Sequence, residues 1–596
     1  MSDMALSYKS DYVTMPDGVR LAVSVWAPAD ANAKNPTVLF TTRYWRAMSY
    51  QQDKPDYQQF YAFACYLMSR GYSLIVADAR GSGASFGTRS AEIFPEEIDD
   101  IGEIIAWASE QAWCDGRVAT TGTSYTANTT LASLISCPSP LKLGVCRAPD
   151  FDWYRHLFAP GGIPNLWFID VWGQLTGALD KNDISFLRKA GHLPPAYADQ
   201  AESVRPVDND KEGRLLAAAI AEHSANFNAG SLLDRMQFID EGSDHKTDGH
   251  FYNTFLYQDE VEQGQVPIVI RCGWHDAATQ LGALTLFATF KTPARIILGP
   301  WNHGGNFLAD PFQPGDGLHP EEIPLDEVRQ LVVNSLDAIF KEESHPEGTA
   351  SSDGEFGVVE YFTLGENRWK TTREWPLPDT QYKRLYLSAE QQLSDKAPTQ
   401  DTGCDDYQVD PTAGTGLNNR WHTQMGGPIF FPDRCEEDKK LLVYDTAPLV
   451  SDTEITGHPV VHLFIRSSAS DGQFFVYLET VDPDGRVRML TEGQLRGLHR
   501  KVSDETPPYH MFGPYHSLKK KDAQPLIPGE VAEITFDLYP ISVLLKKGQR
   551  IRLAIAGADK DVFAPIAGCE APAVSVERNS LYVSYIQLPI IKSPIV

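Results

Sequence analysis

The first half of the chain alternates strand-like and helix-like segments, and this alternation constrains the fold more than any other feature. Apolar strand-like runs occur at 37–41, 72–77, 117–121 and 141–146, separated by segments with helical spacing near 57–70, 96–110 and 126–136. Helices of this length allow successive strands to pair in parallel, and a parallel sheet is covered by helices on both faces. The pattern therefore predicts an α/β fold built on a mostly parallel sheet.

Two other regions break this pattern. The alternation stops near Asp150 and resumes near Pro267, and the intervening segment is rich in aromatic residues and helix formers. Because the carboxyl ends of such a sheet hold the active site, we interpret the insertion as a helical cap over a pocket. From about Gly357 onward, short alternating strands separated by turn residues predict an all-β sandwich. The predicted organisation is a catalytic domain at 1–149 and 251–350, a cap at 150–250 and a β-sandwich at 351–596.

Ser124, Asp276 and His303 each follow a predicted strand, in that order along the chain. A serine hydroxyl becomes an effective nucleophile when a neutral imidazole accepts its proton, and a buried carboxylate orients that imidazole. The order Ser, Asp, His, with each residue just beyond a strand, is typical of the α/β-hydrolase fold. These residues therefore predict a serine hydrolase with a catalytic triad. The alternative is that Ser124 only caps the helix that follows it.

The chain contains one literal G-x-S-x-G sequence, and it surrounds Ser85 rather than Ser124. Ser85 follows a strand-like segment, but no helical pattern begins directly after it. The motif marks a nucleophile only where a strand, a sharp turn and a helix succeed one another. Ser124 has this context, with the small residues Gly122 before it and Ala127 after it. We therefore predict that Ser124 is the nucleophile.

Four motifs, in order, resemble those of the cocaine esterase / X-Pro dipeptidyl-peptidase (CocE/NonD) family of serine hydrolases. They are R-G-S-G-A-S-F-G at 80–87, G-T-S-Y at 122–125, G-W-H-D at 273–276 and G-P-W-N-H at 299–303. The resemblance implies an α/β-hydrolase core and a C-terminal jelly-roll-like β-sandwich. The chain departs from the family pattern at Ala127, where glycine is usual, and at His275, where an aromatic residue is common. The second departure predicts a change in the pocket wall.

A tetrahedral intermediate in acyl transfer needs hydrogen-bond donors for its oxyanion. The backbone N–H of Tyr125, directly after the nucleophile, is one donor by the geometry of the nucleophile turn. The second comes from the loop after an early strand, here 41–45, and the family resemblance implies the hydroxyl of Tyr44. The alternative is that Tyr44 packs at the strand end through its ring alone.

Large aromatic side chains near the predicted pocket are candidates for substrate binding. They are Trp45, Trp153, Trp167, Trp172 and Trp274. Aromatic residues of a cap can equally form the core of the cap itself, so we expect only some of them to face the substrate.

Composition and charge disfavour several classes of partner. The 596 residues carry a formal net charge of −27, which disfavours nucleic acid and anionic membrane surfaces. No run of about 18 apolar residues occurs, so no membrane span is expected. The start of the chain has no secretory pattern and the eight cysteines include no C-x-x-C pair, so a cytoplasmic location is expected. A homo-oligomer is compatible with the sequence.

The sequence predicts neither a cofactor nor a metal site. No phosphate-binding or dinucleotide-binding glycine motif is present. The segment 244–250 contains two aspartates and two histidines, which are metal-ligand types, but it is polar and loop-like. We interpret it as a solvated loop.

We expect the substrate to be a small-molecule ester or amide that acylates Ser124. Two alternatives exist on the same scaffold: transfer of the acyl group to an acceptor other than water, and an aminoacyl or X-Pro-type peptidase activity. A third alternative is a non-enzymatic binding protein, which the complete triad disfavours. Product analysis with and without a nucleophilic acceptor separates hydrolysis from acyl transfer.

Overall fold

The computed structural model describes residues 6–30, 32–52, 54, 58–193, 198–241, 252–341, 354–569 and 571–592. These residues form two large β-sheets, a small two-stranded sheet and the helices that cover the first sheet. The polar segment 244–250, which we interpreted as a solvated loop, lies outside them.

The first sheet is parallel through its centre. In spatial order its described strands are β1 (Leu6–Thr14), β2 (Arg20–Pro28), β5 (Ser73–Asp78), β3 (Asn35–Thr42), β6 (Cys114–Thr123), β7 (Leu141–Arg147), β9 (Ile268–Gly273), β10 (Ala294–Gly299), β11 (Val358–Thr363) and β12 (Arg368–Thr372). The strands from β5 to β11 in this order pair in parallel, and antiparallel strands flank them at both edges. The predicted α/β fold with a mostly parallel sheet is confirmed.

Helices pack on both faces of this sheet. The α-helices of the described residues are α1 (Tyr61–Met68), α2 (Pro95–Ser109), α3 (Tyr125–Ser136), α4 (Leu166–Asp180), α5 (Ile184–Lys189), α6 (Arg214–Glu222), α7 (Gln258–Gly264), α8 (Thr279–Thr289) and α9 (Leu325–Phe340). Side chains alternate along β5, so Leu74 and Val76 share a core with α1 and α9, while Ile75 and Ala77 share one with α2, α3 and α8. Both faces are therefore buried, as expected for central parallel strands.

Local sequence explains where α2 begins and which face it buries. Pro95 is its first residue, where the missing N–H of proline removes no intrahelical hydrogen bond. Acidic residues in its first turn interact favourably with the positive end of the helix dipole. Ile98, Ile101 and Ile105 recur at helical spacing and are buried against the sheet.

The segment between β7 and β9 is mainly helical. It contains α4, α5, α6 and α7, with a short strand, β8 (Ala201–Val204), that pairs with β4 (Met48–Tyr50). Asn165 caps α4, because its side-chain oxygen accepts a hydrogen bond from the N–H of Phe168. The buried face of α4 includes Phe168 and Trp172, which join the core shared with α2 and α3. We propose that this insertion is the cap.

The C-terminal strands form a second, largely antiparallel sheet network. They are β13 (Thr380–Ser388), β14 (Gln392–Ser394), β15 (Cys404–Gln408), β16 (Leu442–Asp445), β17 (Thr453–Gly457), β18 (Val460–Ser467), β19 (Gln473–Val481), β20 (Val487–Arg496), β21 (Ala532–Asp537), β22 (Ile541–Leu545), β23 (Arg550–Ala556), β24 (Ala573–Glu577) and β25 (Tyr585–Ile591). Every second residue of β18 is buried, as its alternating sequence predicts. The predicted C-terminal β-sandwich is confirmed.

The change from the first sheet to the second lies later than residue 351. β11 pairs in parallel with β10, and β12 pairs with β11, so the catalytic sheet continues to Thr372. An alternating strand pattern does not specify which sheet a strand joins, and for this reason the sequence assigned these two strands to the sandwich. We propose a domain boundary between Thr372 and Thr380.

The sandwich packs closely against the catalytic domain. Gly161 and Gly162 both have positive φ, and a Cβ at Gly161 would lie 2.2 Å from the carbonyl oxygen of Gln494 on β20. A Cβ at Gly162 would lie 2.2 Å from the ring of His499. Only glycine permits this approach of residues 161 and 162 to the β20 backbone and to the His499 ring.

Candidate active site

Ser124 lies at the sharp turn between β6 and α3. Its backbone has φ 59° and ψ −130°, outside the regions that non-glycine residues prefer. Gly122 makes this turn sterically feasible, because a Cβ there would lie 2.1 Å from the carbonyl oxygen of Thr126. Ala127 is fully buried in the first turn of α3, so the structure accommodates its methyl group where the family usually has glycine. Ser124 therefore has the strand–turn–helix context of a nucleophile.

Asp276 and His303 follow the neighbouring strands β9 and β10. Nδ1 of His303 lies 2.9 and 3.0 Å from the two carboxylate oxygens of Asp276, and both residues are buried. The Thr279 hydroxyl donates a second hydrogen bond to this carboxylate, at 3.1 Å. Burial disfavours a charged imidazole, but the charge and hydrogen bond of Asp276 outweigh this effect and raise the pKa of His303 above 6.5.

Ser124 and His303 lie at the same edge of the sheet, but they form no hydrogen bond within the described structure. β6, β7, β9 and β10 are consecutive neighbours, so their carboxyl ends bring both residues to one edge. Among the described residues, Nε2 of His303 is buried and has no hydrogen-bond partner. Catalytic hydrogen bonds are often long or poorly aligned before substrate binds. Nε2 is therefore available to accept a proton from a hydroxyl group.

A loop of the sandwich domain, residues 419–427, contacts both the acid and the histidine. Nε2 of Gln424 donates a hydrogen bond to Oδ1 of Asp276 at 2.7 Å. Oγ1 of the adjacent Thr423 accepts a hydrogen bond from the backbone N–H of His303 at 3.1 Å. Asn302, the residue before the histidine, donates to two carbonyl groups of the same loop. The 419–427 loop therefore fixes the position of the Asp276–His303 pair.

A second carboxylate, Asp150, lies close to His303. Asp150 follows β7 and exchanges two hydrogen bonds with Asn128, at 2.8 and 3.1 Å. Burial raises the pKa of Asp150 to about 6, and the bond from Asn128 opposes this shift. The negative charge of Asp150 helps to raise the pKa of His303. Asp150 can therefore stabilise an imidazolium ion together with Asp276.

The hydroxyl of Tyr44 is positioned by the insertion. The indole N–H of Trp172 on α4 donates a hydrogen bond to Tyr44 Oη at 3.2 Å. Because an indole N–H can only donate, this contact leaves the hydroxyl proton of Tyr44 available for another acceptor. Burial raises the pKa of Tyr44 to about 12, so the hydroxyl stays protonated near neutral pH. The Tyr44 ring packs edge-to-face against Tyr125, with centroids 6.0 Å apart.

A buried ion network lies behind Tyr44 and Tyr125. Its charged members are Arg43, Arg89, Glu92, Glu97 and Asp180. Arg43 pairs with Asp180 at 3.3 Å, which links the loop of Tyr44 to the end of α4. The Tyr125 hydroxyl donates to Glu97, which anchors the start of α3. The network therefore fixes Tyr44 and Tyr125 relative to each other.

Two of the five predicted substrate-binding tryptophans are core residues. Trp45 and Trp274 are 1% and 0% exposed, and their indole N–H groups donate to the carbonyls of Leu179 and Phe362. Both rings are enclosed in the protein core, so these two are not among the tryptophans that line a pocket in this structure. Both residues stand next to site residues in sequence, but their side chains point into the protein.

The other three tryptophans lie in or next to α4. Trp153 and Trp172 are buried in an aromatic cluster with Phe158, so they form part of the core beneath the insertion. Trp167 is half-buried, and its ring centroid lies 4.2 Å from that of His422 in the 419–427 loop. Trp167 is therefore the one of the five that we retain as a candidate for substrate contact.

The structure also places Ser85 and His275. Ser85 is fully buried, and its hydroxyl donates to the carbonyl of Asp78 and accepts from the N–H of Ala22. These bonds leave it no role as a nucleophile. His275 is buried, and its Nε2–H donates to the carbonyl of Leu490 on β20 at 2.8 Å. The expected change in the pocket wall is therefore a contact with the sandwich.

Sequence reasoning missed Asp150, Thr423 and Gln424. Asp150 carried a usable signal, because it follows a parallel strand at the edge where ligands bind. Gln424 carried none, since it lies 148 residues from Asp276 and no local pattern marks the contact.

The described residues contain no group of three or more His, Cys, Asp or Glu side chains that could hold a metal ion. In the same part of the chain, no helix combines the length and the apolar character needed to cross a membrane.

The fold and the site define an α/β-hydrolase with a C-terminal β-sandwich domain. The family model described as X-Pro dipeptidyl-peptidase (S15 family) matches residues 17–305. The model of the X-Pro dipeptidyl-peptidase C-terminal non-catalytic domain matches residues 357–578.

Proteins with similar sequences and a solved structure with a similar fold point to the same family. A Mycobacterium bovis protein assigned as a serine esterase is 38% identical, over 98% of this chain and 96% of its own length. The cocaine esterase of a Rhodococcus strain is 26% identical, over 92% of this chain and 90% of its own. A solved CocE/NonD family hydrolase from Staphylococcus aureus shares the fold, with a TM-score of 0.68 at 16% identity over 98% of this chain and 93% of that one. The chain belongs to the CocE/NonD X-Pro dipeptidyl-peptidase (S15) family and is a serine hydrolase that acts on ester or amide bonds.

Proposed function

We propose that this enzyme hydrolyses carboxylic esters or amides through an acyl-serine intermediate on Ser124. The observation that carries the proposal is the buried Asp276–His303 pair, because its Nε2 faces no other partner in the described structure and lies at the sheet edge of the Ser124 turn. A preformed carboxylate–imidazole pair at the same sheet edge as a serine on a sharp turn is what nucleophilic acyl transfer requires. The serine esterase relative supports the same chemistry.

In the acylation step, Nε2 of His303 accepts the hydroxyl proton of Ser124 while Oγ bonds to the substrate carbonyl carbon. The electron pair of the carbonyl π bond moves to oxygen and forms the oxyanion. The Asp276 carboxylate accepts a hydrogen bond from Nδ1–H of His303 and stabilises the imidazolium ion. As the tetrahedral intermediate collapses, His303 gives its proton to the leaving alcohol or amine, and the acyl group stays on Ser124.

Deacylation repeats these proton transfers with water. His303 removes a proton from a water molecule as its oxygen bonds to the acyl carbon, and the second tetrahedral intermediate forms. The intermediate then releases the carboxylic acid, and Ser124 recovers its proton from His303.

We propose that the oxyanion accepts hydrogen bonds from the N–H of Tyr125 and the hydroxyl of Tyr44. Tyr125 is the first residue of α3, where N–H groups have no acceptor within the helix. The dipole of α3 places further positive potential at this end. Support for Tyr44 comes from the Trp172 contact, which occupies an acceptor site of the hydroxyl and leaves its proton free to donate.

Labelling tests the nucleophile. A fluorophosphonate should add one label per chain, and peptide mapping should locate it on Ser124. Ser124→Ala and His303→Ala should each lower kcat by roughly 10⁴-fold or more, and the double variant should be little worse than either single variant. A label on another serine, or losses that add, would contradict the assignment.

Tyr44→Phe tests the second oxyanion donor, because it keeps the ring and removes only the hydroxyl. We expect kcat to fall by roughly 10²–10³-fold with little change in KM or Tm. Tyr12→Phe is a matched control, since the Tyr12 hydroxyl bonds to the carbonyl of Ala84 and not to the site. A Tyr44→Phe enzyme with the kcat of this control, on a substrate whose acylation is rate-limiting, would exclude Tyr44 as a donor.

A further inference from the structure

Two arginines lie beside the loop that carries His303, and among the described residues neither pairs with a carboxylate. Arg147, the last residue of β7, stands directly opposite Arg271 of β9 in the parallel register, and both side chains are half-buried. In the described part of the chain, neither guanidinium group lies within 4.0 Å of a carboxylate oxygen. The pair therefore places two positive charges on neighbouring strands with no carboxylate in direct contact among the described residues.

The contacts of these arginines use only part of their donor capacity. Nη1 of Arg147 donates to the carbonyl of Gly304 at 3.1 Å. The guanidinium carbon of Arg271 lies 3.5 Å from the centroid of the Trp301 ring. Nη1 of Arg271 is buried and has no hydrogen-bond partner among the described residues. Because each guanidinium group has five N–H donors, most of them are open to a further acceptor.

Burial lowers the pKa values of both arginines. Burial lowers the pKa of Arg147 to about 10, and burial together with the charge of Arg147 lowers that of Arg271 to about 9. Cys272 and Glu327 oppose the second shift. Arginine side chains are normally charged at all working pH values, so they need a compensating negative charge when they leave water.

A small cavity lies next to both arginines. Its volume is about 10 Å³, and its lining includes Arg147, Arg271, Trp301 and His303 together with Asp276, whose carboxylate is already bonded to His303, Thr279 and Gln424. A cavity of this size holds one particle of about the size of a water molecule.

We propose that Arg147 and Arg271 bind one small monovalent anion, such as chloride, in this cavity. The anion accepts hydrogen bonds from both guanidinium groups and offsets their mutual repulsion. It also holds the loop of the catalytic histidine in place, because Arg147 bonds to Gly304 and Arg271 packs against Gly305. This inference goes beyond the proposed function and does not depend on the identity of the acyl substrate.

Anion binding should also be visible in catalysis. The charged groups that act on His303 are Asp276 and Asp150, which raise its pKa, and Arg147, which lowers it. A bound anion offsets the charge of Arg147, so the pKa of His303 rises further. The acid limb of kcat/KM should therefore lie at higher pH in chloride than in a buffer whose anion is too large for the cavity.

A titration of chloride against gluconate at constant ionic strength tests the proposal on the full chain. We expect Tm to rise with chloride and to saturate, because binding to one site in the native state saturates. Arg271→Gln should weaken chloride binding by roughly tenfold or more, since a charge-assisted hydrogen bond is lost. Arg329→Gln is the control, because Arg329 is a half-buried residue of α9 paired with Asp326 and away from the cavity, and it should keep the saturable response.

Bromide diffraction gives an independent readout on the unmodified protein. Crystals soaked in bromide should show an anomalous peak between the guanidinium groups of Arg147 and Arg271. Bromide peaks only elsewhere on the surface would overturn the proposal. A Tm that depends linearly on salt and equally on chloride and gluconate would do the same.

Discussion

Replacement of Gln424 by methionine tests whether the sandwich domain takes part in catalysis. Methionine has a similar length, but it lacks the N–H that now donates to Asp276 Oδ1 at 2.7 Å. His303 and Thr279 remain as partners of the carboxylate. A hydrogen bond to a charged group contributes about 1.5–3 kcal/mol, so its full loss from the transition state lowers kcat/KM by roughly 10- to 100-fold.

The same replacement should move the pH profile. When the carboxylate of Asp276 loses one donor, more of its negative charge acts on His303, and the pKa of His303 rises. The acid limb of kcat/KM should therefore shift to higher pH, which a general loss of stability does not produce. Initial rates with p-nitrophenyl esters over a pH series measure both effects on one substrate.

Gln280→Met is the matched control for Gln424→Met. Gln280 is similarly buried and lies on α8, close to Asp276, but its amide group bonds to the carbonyl of Ala277 instead of to the acid. If Gln424→Met retains the kcat/KM and the acid limb of this control, the 419–427 loop does not support catalysis and the reasoning is refuted.

Three further predictions concern Tyr44, the histidine and the domain contact. Trp172→Phe keeps a ring but removes the hydrogen-bond donor to Tyr44. Because a neutral hydrogen bond contributes about 0.5–1.5 kcal/mol, kcat should fall by roughly 3- to 10-fold. A variant with the wild-type kcat would show that packing alone holds Tyr44. The raised pKa of His303 predicts that kcat/KM is lost as pH falls through a value above 6.5, because only the neutral imidazole accepts a proton. Asp150→Asn removes a negative charge that raises this pKa, so the acid limb should move to lower pH. An acid limb that does not move would show that Asp150 has no effect on His303. Deletion of residues 373–596 removes the 419–427 loop that contacts Asp276. The truncated chain should therefore be inactive in an esterase assay or aggregated in size-exclusion chromatography. A soluble, fully active truncation would contradict the coupling of the two domains.

The parts of the fold that follow from local sequence were predictable. In β5, β7 and α2 the buried side chains recur at the period of the strand or helix itself. The apolar runs and the isoleucine spacing therefore mark these elements in the sequence. The position of Ser124 followed for the same reason, because the strand, the small residues and the helix that make its turn are contiguous. Asp276 and His303 each come directly after a strand, so the sheet itself brings them to one edge.

The parts that depend on distant partners were not predictable. β11 has the sequence of a strand, but only its pairing with β10 decides that it extends the catalytic sheet. Trp45 stands beside Tyr44 in sequence, yet its φ of 68° accompanies a turn that directs the ring into the core. The contact of Gln424 with Asp276 joins two domains, and a single sequence contains no period or motif that reports it.

The hydrogen bond from Trp172 to Tyr44 bears on how such enzymes acquire new substrates. α4 belongs to the segment inserted between β7 and β9, yet its Trp172 also donates a hydrogen bond to the Tyr44 hydroxyl. With Tyr44 in its proposed role as an oxyanion donor, mutations that reshape α4 should therefore change turnover as well as preference. Chimeras that exchange the insertion between relatives should work best when the donor segment brings its own indole to the position that reaches Tyr44. Selection for a new substrate would then act on the insertion and the Tyr44 loop as one inherited unit.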